Sequence, residues 1–307
     1  MLSYKKVNKM EKNEILISIV TPTYNRKDEL IELYKSLNKQ TFRNFEWIII
    51  DDGSSDNTEQ IVKMMDSSIY KIKYVKKVNE GKHIALNYSH KYINGNIVGI
   101  VDSDDVLTED AIENITSYWK LYFNNDNIAG ITFQRGNFRG ERFDKSLYEQ
   151  KNCTYYEAVK NGLMGDHFET VRAVDFCKYI FPQFKGEKFM GELPMWLDIY
   201  QSKDIVFVDK ILYLCEYLDE GLTKSGRKMR LQCPMGGKYH ASVLMDKRFT
   251  LKVRFKNAML YVCYSRILNI SFNEIIKESS KNKFILVCEI LEGCILKKLW
   301  CKKYLLD

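Results

Sequence analysis

No two of the eight cysteines in this 307-residue chain are spaced as CxxC. That argues against a zinc site or a disulfide framework, and for free thiols in a reducing compartment. No run of about 18 apolar residues occurs, so no spanning helix is expected. The opening stretch, MLSYKKVNKMEKNEILISIV, has charge on both sides of a short apolar run and no small-residue cleavage signal. Secretion is therefore not expected, and the chain reads as cytoplasmic. Internal repeats and low-complexity tracts are absent as well. What is present is ordinary for a soluble globular protein: 45% hydrophobic and 28% charged residues.

The net charge of +7 is unevenly spread. Residues 221–307 hold 18 Lys and Arg against 6 Asp and Glu, a balance of +12, and residues 1–220 hold 29 against 34, or −5. A basic tail behind a mildly acidic body suits an anionic surface or polyanionic partner, or simply solvated helix faces.

Along the chain, short apolar runs alternate with stretches of helical spacing. ILISIV reads as a buried strand ending at Pro22, and RKDELIELYKSLNKQ as a helix with Leu30, Leu33, Tyr34 and Leu37 on one face. FEWIII, YKIKYV, NIVGIV and IAGITFQ are further strands. Between them lie a helix capped by Asp56 with Glu59 completing a capping box, a helix in GKHIALNYSHKYI, and one capped by Thr108. Strand–helix alternation over about 130 residues implies an α/β fold with a mostly parallel sheet between helices. Beyond about residue 235 the chain reads as helical, which sets an expected division into 1–220 and 221–307.

In parallel-rich sheets ligands bind outside the carboxyl ends of the strands. The polar loops all fall there: TPTYNR after the first strand, DDGSSD after the second, DSDD after the fourth. DSDD puts Asp102, Asp104 and Asp105 within four positions, where like charges demand a counter-charge. Hard oxygens at a strand end suit Mg²⁺ or Mn²⁺, which takes one or two protein carboxylates plus substrate phosphates. Asp105 could instead be structural, and acids at a helix start are common.

Taken in order, ISIVTPTYNR, SLNKQTFRNFEWIIIDDGSSDNT, NEGKHIALN and IVGIVDSDD resemble glycosyltransferase family 2, the nucleotide-sugar enzymes with a GT-A fold. The resemblance covers residues 15–135 and extends more loosely to about 240. It implies donor-nucleotide contacts from Pro22, Thr23, Tyr24 and Asn25, with Asp52, and Asp51 beside it, at the base. Asp102 and Asp104 take the family's DxD positions around Ser103: Asp102 near ribose or metal, Asp104 as the more direct ligand of Mn²⁺ or Mg²⁺. One departure is that Leu86 precedes Asn87 where many relatives carry Arg. Lys82 or His83 would then approach the diphosphate, although His83 also fits a buried helix-start histidine. Asp166 would line the donor-sugar pocket.

Inverting transfer needs a base for the acceptor hydroxyl. The resemblance places it in GEKFMGELPMWLDIY, where Glu192 is the best match, Glu187 and Asp198 are rivals, and Leu193 stands where Asp is often found. Trp196 either stacks on a sugar or joins the core. YLDEGLTKSGRKMR, with Lys224, Arg227, Lys228 and Arg230, resembles the family's mobile loop.

The expected function is metal-dependent inverting transfer of a sugar from a nucleoside diphosphate donor, a UDP-sugar by preference. The acceptor would be a glycan or polyprenyl-linked glycan of a surface polysaccharide. Alternatives are a nucleotidyltransferase, whose glycine-rich loop TPTYNRKDE lacks, and a non-catalytic binder of polyanions. Nucleic acid is not an expected partner. The terminal helix, with Phe284, Cys288, Leu291, Ile295 and Leu299 at helical spacing and four lysines at its end, would pack on the protein, pair with a second copy, or lie on a membrane.

Overall fold

The computed structural model describes residues 15–143, 151–160, 166–216, 228–279 and 282–304. They form two compact units. One comprises residues through Val78, Ala85–Tyr179 and Ile199–Glu216; the other comprises Asn79–Ile84, Ile180–Asp198 and the chain from Tyr217 onward. The units interleave along the chain, whereas the division expected from composition is a single cut at 220.

The first unit is built on a sheet. In chain order its strands are β1 (Ile17–Thr23), β2 (Phe45–Asp51), β3 (Lys71–Lys76), β4 (Ile97–Ile100), β5 (Val106–Leu107), β6 (Ile128–Gly136), β7 (Lys151–Thr154), β8 (His167–Arg172) and β9 (Asp204–Leu214). Their spatial order is β3-β2-β1-β4-β8-β6-β9-β5, with β7 also pairing β9. β3, β2, β1 and β4 are mutually parallel. β8 then inserts antiparallel between β4 and β6, and β9 runs parallel to β6. The expected α/β sheet is present, and its second half is mixed because β8 comes late in the chain and fills the middle.

Helices α1 (Lys27–Asn38), α2 (Thr58–Lys63), α3 (Lys82–Ser89) and α4 (Ala111–Tyr122) follow β1, β2, β3 and β5. α1 buries Leu30, Leu33 and Leu37, as its spacing predicts. Two expected caps differ in detail. α2 begins after Asn57, and Asp56 instead accepts from the Thr58 N–H at 3.1 Å and the Lys27 N–H at 3.3 Å, so it ties α2 to the start of α1. Glu59 pairs with Lys63 at 2.6 Å rather than closing a capping box. α4 starts two residues later than expected, after Asp110, whose carboxylate accepts from the Thr108 hydroxyl at 2.8 Å. At the other end of α4, buried Arg172 donates to the carbonyls of Tyr122, Phe123 and Asn125, two of which also accept from the N–H groups of Asn125 and Ile128.

The core between sheet and helices is apolar with two anchored indoles. Trp47 Nε1 donates to Thr21 Oγ1 and Trp119 Nε1 to Thr170 Oγ1, each at 2.9 Å, so the buried N–H groups are satisfied.

The second unit holds α7 (Leu193–Ile199), α8 (Pro234–Leu244), α9 (Leu251–Ile267), α10 (Phe272–Glu278), α11 (Lys283–Cys288) and α12 (Ile290–Tyr304); short α5 (Tyr155–Lys160) and α6 (Ala173–Phe176) belong to the first. Thr250 caps α9, and Ser271 with Glu274 forms a capping box on α10. Met245, Tyr261, Val262, Ile275, Ile285 and Leu286 form the core of this helical cluster.

Candidate active site

The carboxyl ends of β1, β2 and β3 lie level, because Thr23 pairs with Asp51 and Asp51 with Lys76. β4 pairs with β1 only as far as Val20–Ile100. Beyond that point the Val101 N–H still reaches the Val20 carbonyl at 3.0 Å. A further parallel rung would run from the N–H of residue 22 to the Val101 carbonyl, and Pro22 has no N–H. Pro22 thus sits inside β1, one residue before the strand's end, at the point where β1 and β4 part.

Each loop at this edge has a distinct internal order. Asn25 adopts a positive φ of 50°, and its side-chain oxygen accepts from the Ser55 N–H at 2.8 Å. It therefore stitches the first loop to the second, while Tyr24 stands 49% exposed beside it. The Thr23 hydroxyl is buried with no hydrogen-bond partner among the described residues. A buried hydroxyl left so is an open position for a ligand polar group.

The two acids of the second loop divide their work. Asp51 is fully buried, one oxygen accepting from the Ser54 N–H at 2.7 Å and the other from the Tyr74 hydroxyl. One oxygen is committed to the turn and the other to β3. Burial, followed by the bond to Asp51, pushes the Tyr74 hydroxyl well above its ordinary pKa. Asp52 forms a buried ion pair with Lys77 at 2.8 Å.

The DSDD turn answers its charge problem with groups from elsewhere. Asp105 is 8% exposed and accepts from the Tyr213 hydroxyl at 2.5 Å; that hydroxyl in turn accepts from the Asp102 N–H at 3.1 Å. The Arg135 guanidinium lies over the Tyr213 ring at 4.3 Å. Burial pushes the Asp105 carboxyl up to about 7; Asp102 and Asp104 act the same way, against the Tyr213 hydrogen bond and Arg135. Asp105 is thus the structural member. Arg26 reaches Asp104 at 3.4 Å as well as Glu29 at 3.2 Å. Asp102 and Asp104 stay partly exposed at the strand end, with Ser103 buried between them. No three His, Cys, Asp or Glu side chains converge on a ready-made metal cage among the described residues.

Because β8 runs antiparallel to β4, its start comes to this same edge, and exposed Asp166 immediately precedes it. Asn87 lies half-buried on α3.

In the helical unit, Lys82 and Glu192 form an ion pair at 2.7 Å, both about a quarter to a third exposed. The residues proposed for donor phosphate and for the base are therefore partners. Glu192 precedes α7, and its carbonyl accepts from the Met195 N–H at 2.9 Å. Glu187 is occupied: its two oxygens accept from the N–H groups of Met235 and Gly236 at 2.7 and 2.8 Å, capping α8. Asp198 is exposed near the end of α7, and Trp196 is buried in the core. His83 is buried with its ring edge-on to Phe181, as a core histidine would be. Gly81, at φ 96°, allows this turn, since a Cβ there would collide with the Lys188 carbonyl. Lys224 and Arg227 lie outside the described residues; Lys228 and Arg230 are exposed.

Sequence patterning did not single out Arg26, Lys77, Arg135 or Tyr213. Arg26 sits inside the quoted TPTYNR loop, but the others carry no local signal.

The model of glycosyl transferase family 2 matches residues 18–177, more than half of the chain. The chain belongs to this family. Family members similar to it include Glycosyltransferase GlyG of Streptococcus pneumoniae, 36% identical over 65% of this chain and 70% of that protein. An uncharacterized glycosyltransferase of Rickettsia conorii is 32% identical over 65% of this chain but only 32% of its own length. The chain thus spans between a quarter and a third of the length of the Rickettsia proteins it matches. The E. coli protein named UDP-Glc:alpha-D-GlcNAc-diphosphoundecaprenol beta-1,3-glucosyltransferase is 28% identical over 63% and 73%. Among solved structures, S. aureus TarS 1-349 in complex with UDP-GlcNAc superposes with a TM-score of 0.62 at 16% identity, covering 94% and 92%. A Pyrobaculum calidifontis mannosyltransferase in complex with GDP-Man and Mn²⁺ gives 0.56 at 13%, covering 93% and 87%. These likenesses show the fold expected for the family, GT-A.

Proposed function

We propose that this family 2 chain transfers a sugar, with inversion, from a UDP-sugar to a hydroxyl of a glycan, free or carried on a polyprenyl lipid, in surface polysaccharide synthesis. The observation that carries the reading is the partition of acids at the sheet edge. Asp51 and Asp105 are buried in bonds to Ser54, Tyr74 and Tyr213, whereas Asp102 and Asp104 stay partly exposed at the strand end. The names of the E. coli and S. aureus relatives favour a UDP-sugar over other donors.

The donor set fits Mn²⁺ or Mg²⁺: two partly exposed hard-oxygen carboxylates, too few for a protein cage and suited to an ion that completes its shell with phosphate oxygens. Asp102 and Asp104 would hold it, and when bound it would neutralise charge on the departing diphosphate. Arg26, already on Asp104, is placed to shift its charge toward phosphate. Asp52 accepts from the base while Lys77 fixes its carboxylate, and the Thr23 hydroxyl and Tyr24 ring complete the nucleoside contacts. Asp166 lines the sugar pocket. Glu192 takes the proton of the acceptor hydroxyl as its oxygen bonds the anomeric carbon and the bond to diphosphate breaks. Lys82 holds that carboxylate in place until the acceptor arrives.

Thermal melting of the full chain with UDP, UDP-sugars and GDP-mannose, with Mn²⁺ or with EDTA, tests this. UDP at a hundred times its Kd should stabilise by about 2.7 kcal/mol with Mn²⁺ and far less with EDTA. Asp104→Asn should lose the Mn²⁺-dependent part. Stabilisation by no nucleotide, or an unchanged response in Asp104→Asn, defeats the reading.

A further inference from the structure

At the end of the helical unit, α11 and α12 turn apolar side chains to both sides. Inward, Ile285 and Leu286 join the core and Gly293 lets α12 approach Val262 of α9. Outward, Phe284, Val287, Leu291, Ile295 and Leu299 are 76%, 55%, 66%, 49% and 60% exposed. A helix apolar on two sides needs a second cover. At 3.6 residues per turn, an outward arc of roughly 100° on α12 holds Lys298, Leu291, Lys302, Ile295 and Leu299, and no carboxylate. Lys283, Lys303 and, at the edge next to Leu299, Glu292 are exposed beside it.

We propose that this α11–α12 face docks on an anionic lipid bilayer. Charge decides between the occupants. In a contact between two copies, Lys298 and Lys302 would meet their own kind within the apolar stripe. Anionic headgroups neutralise them, and lysine stems reach from an apolar layer to the headgroup level. The +12 balance of residues 221–307 adds a longer-range attraction. No helix among the described residues is long and apolar enough to cross a membrane, so the contact would be along the surface. The inference deepens the proposed function and rests on it for its use, since an acceptor on a polyprenyl lipid is met at such a surface.

Flotation of the full chain with phosphatidylcholine vesicles, with and without anionic phosphatidylglycerol, tests the contact. The chain should float with the anionic vesicles only, and less as salt is raised. Leu291→Gln/Ile295→Gln/Leu299→Gln should weaken binding about tenfold or more. Lys298→Gln/Lys302→Gln should weaken it and flatten its salt dependence. Both variants should melt like the parent, since the side chains are exposed. Absence of flotation, equal flotation with neutral vesicles, or unchanged binding by the apolar variant overturns the proposal. So does a dimer in light scattering that the apolar variant dissolves, which would give the face to a second copy. UDP-dependent melting, measured on the same samples without vesicles, separates the two ideas: vesicle binding lost with UDP binding kept refutes this inference alone, and the reverse refutes the donor reading alone.

Discussion

At the scale of single residues, the acids of this chain look alike in sequence and differ in what surrounds them. Asp51 and Asp52 are neighbours, yet one is committed to a turn and a tyrosine and the other to Lys77. Glu187 and Glu192 lie five positions apart, yet one caps a helix with both oxygens and the other meets an ammonium. That difference makes Glu192 the base in the proposed reaction. Glu192→Gln should lower transfer about a hundredfold or more while leaving Mn²⁺-dependent UDP binding at the parent value, as read by initial rates beside melting shifts. Glu187→Gln should instead lower stability, because it removes the charge from two helix-start hydrogen bonds. Which acid is which could not be read from spacing, since most of the partners come from other strands and helices, tens of residues away.

At the scale of elements, the first 135 residues were readable because β1, β2, β4 and β6 are buried and largely apolar, β3 alternates lysines with apolar residues, and α1 and α4 each keep one apolar face. Leu30, Leu33 and Leu37 lie buried on α1 where periodicity put them. The late strands were harder. β8 and β9 arrive from residues 167–214 to complete the middle and far side of the sheet, and nothing near DSDD announces Tyr213, which lies 111 positions from Asp102. Pairing of β5 with the end of β9 is what brings that ring beneath the turn. Tyr213→Phe should therefore destabilise the chain by about 1–3 kcal/mol, by leaving the Asp102 N–H and the Asp105 carboxyl without their shared hydroxyl. Urea melts check this, and Mn²⁺-dependent UDP affinity should fall with it because the turn bearing Asp102 and Asp104 loosens.

At the scale of the whole molecule, each unit contains a histidine that burial keeps neutral. In the sheet unit, burial pushes His90 down to about 4, its ring edge-on to Phe176. In the helical unit, burial and then Arg230 push His240 down to about 4. The unfolded chain takes up these protons near the ordinary histidine value of about 6.5, before the folded chain does. The histidines' share of stability is thus whole above pH 6.5 and declines as pH falls toward 4, by on the order of 1–3 kcal/mol for each site. The buried Asp105 carboxyl, raised to about 7, acts the opposite way as pH falls. Urea melts of the parent and of His90→Gln at pH 7.5 and 5 isolate the histidine share: relative to the parent, the variant should gain stability at pH 5. A last consequence follows from Pro22. Its ring denies β1 and β4 one more rung, so the fork proposed to receive the nucleotide is held open by a covalent constraint rather than by a ligand. Pro22→Ala would let the strands zip one step further, yielding a protein that melts no lower than its parent and grips UDP more weakly.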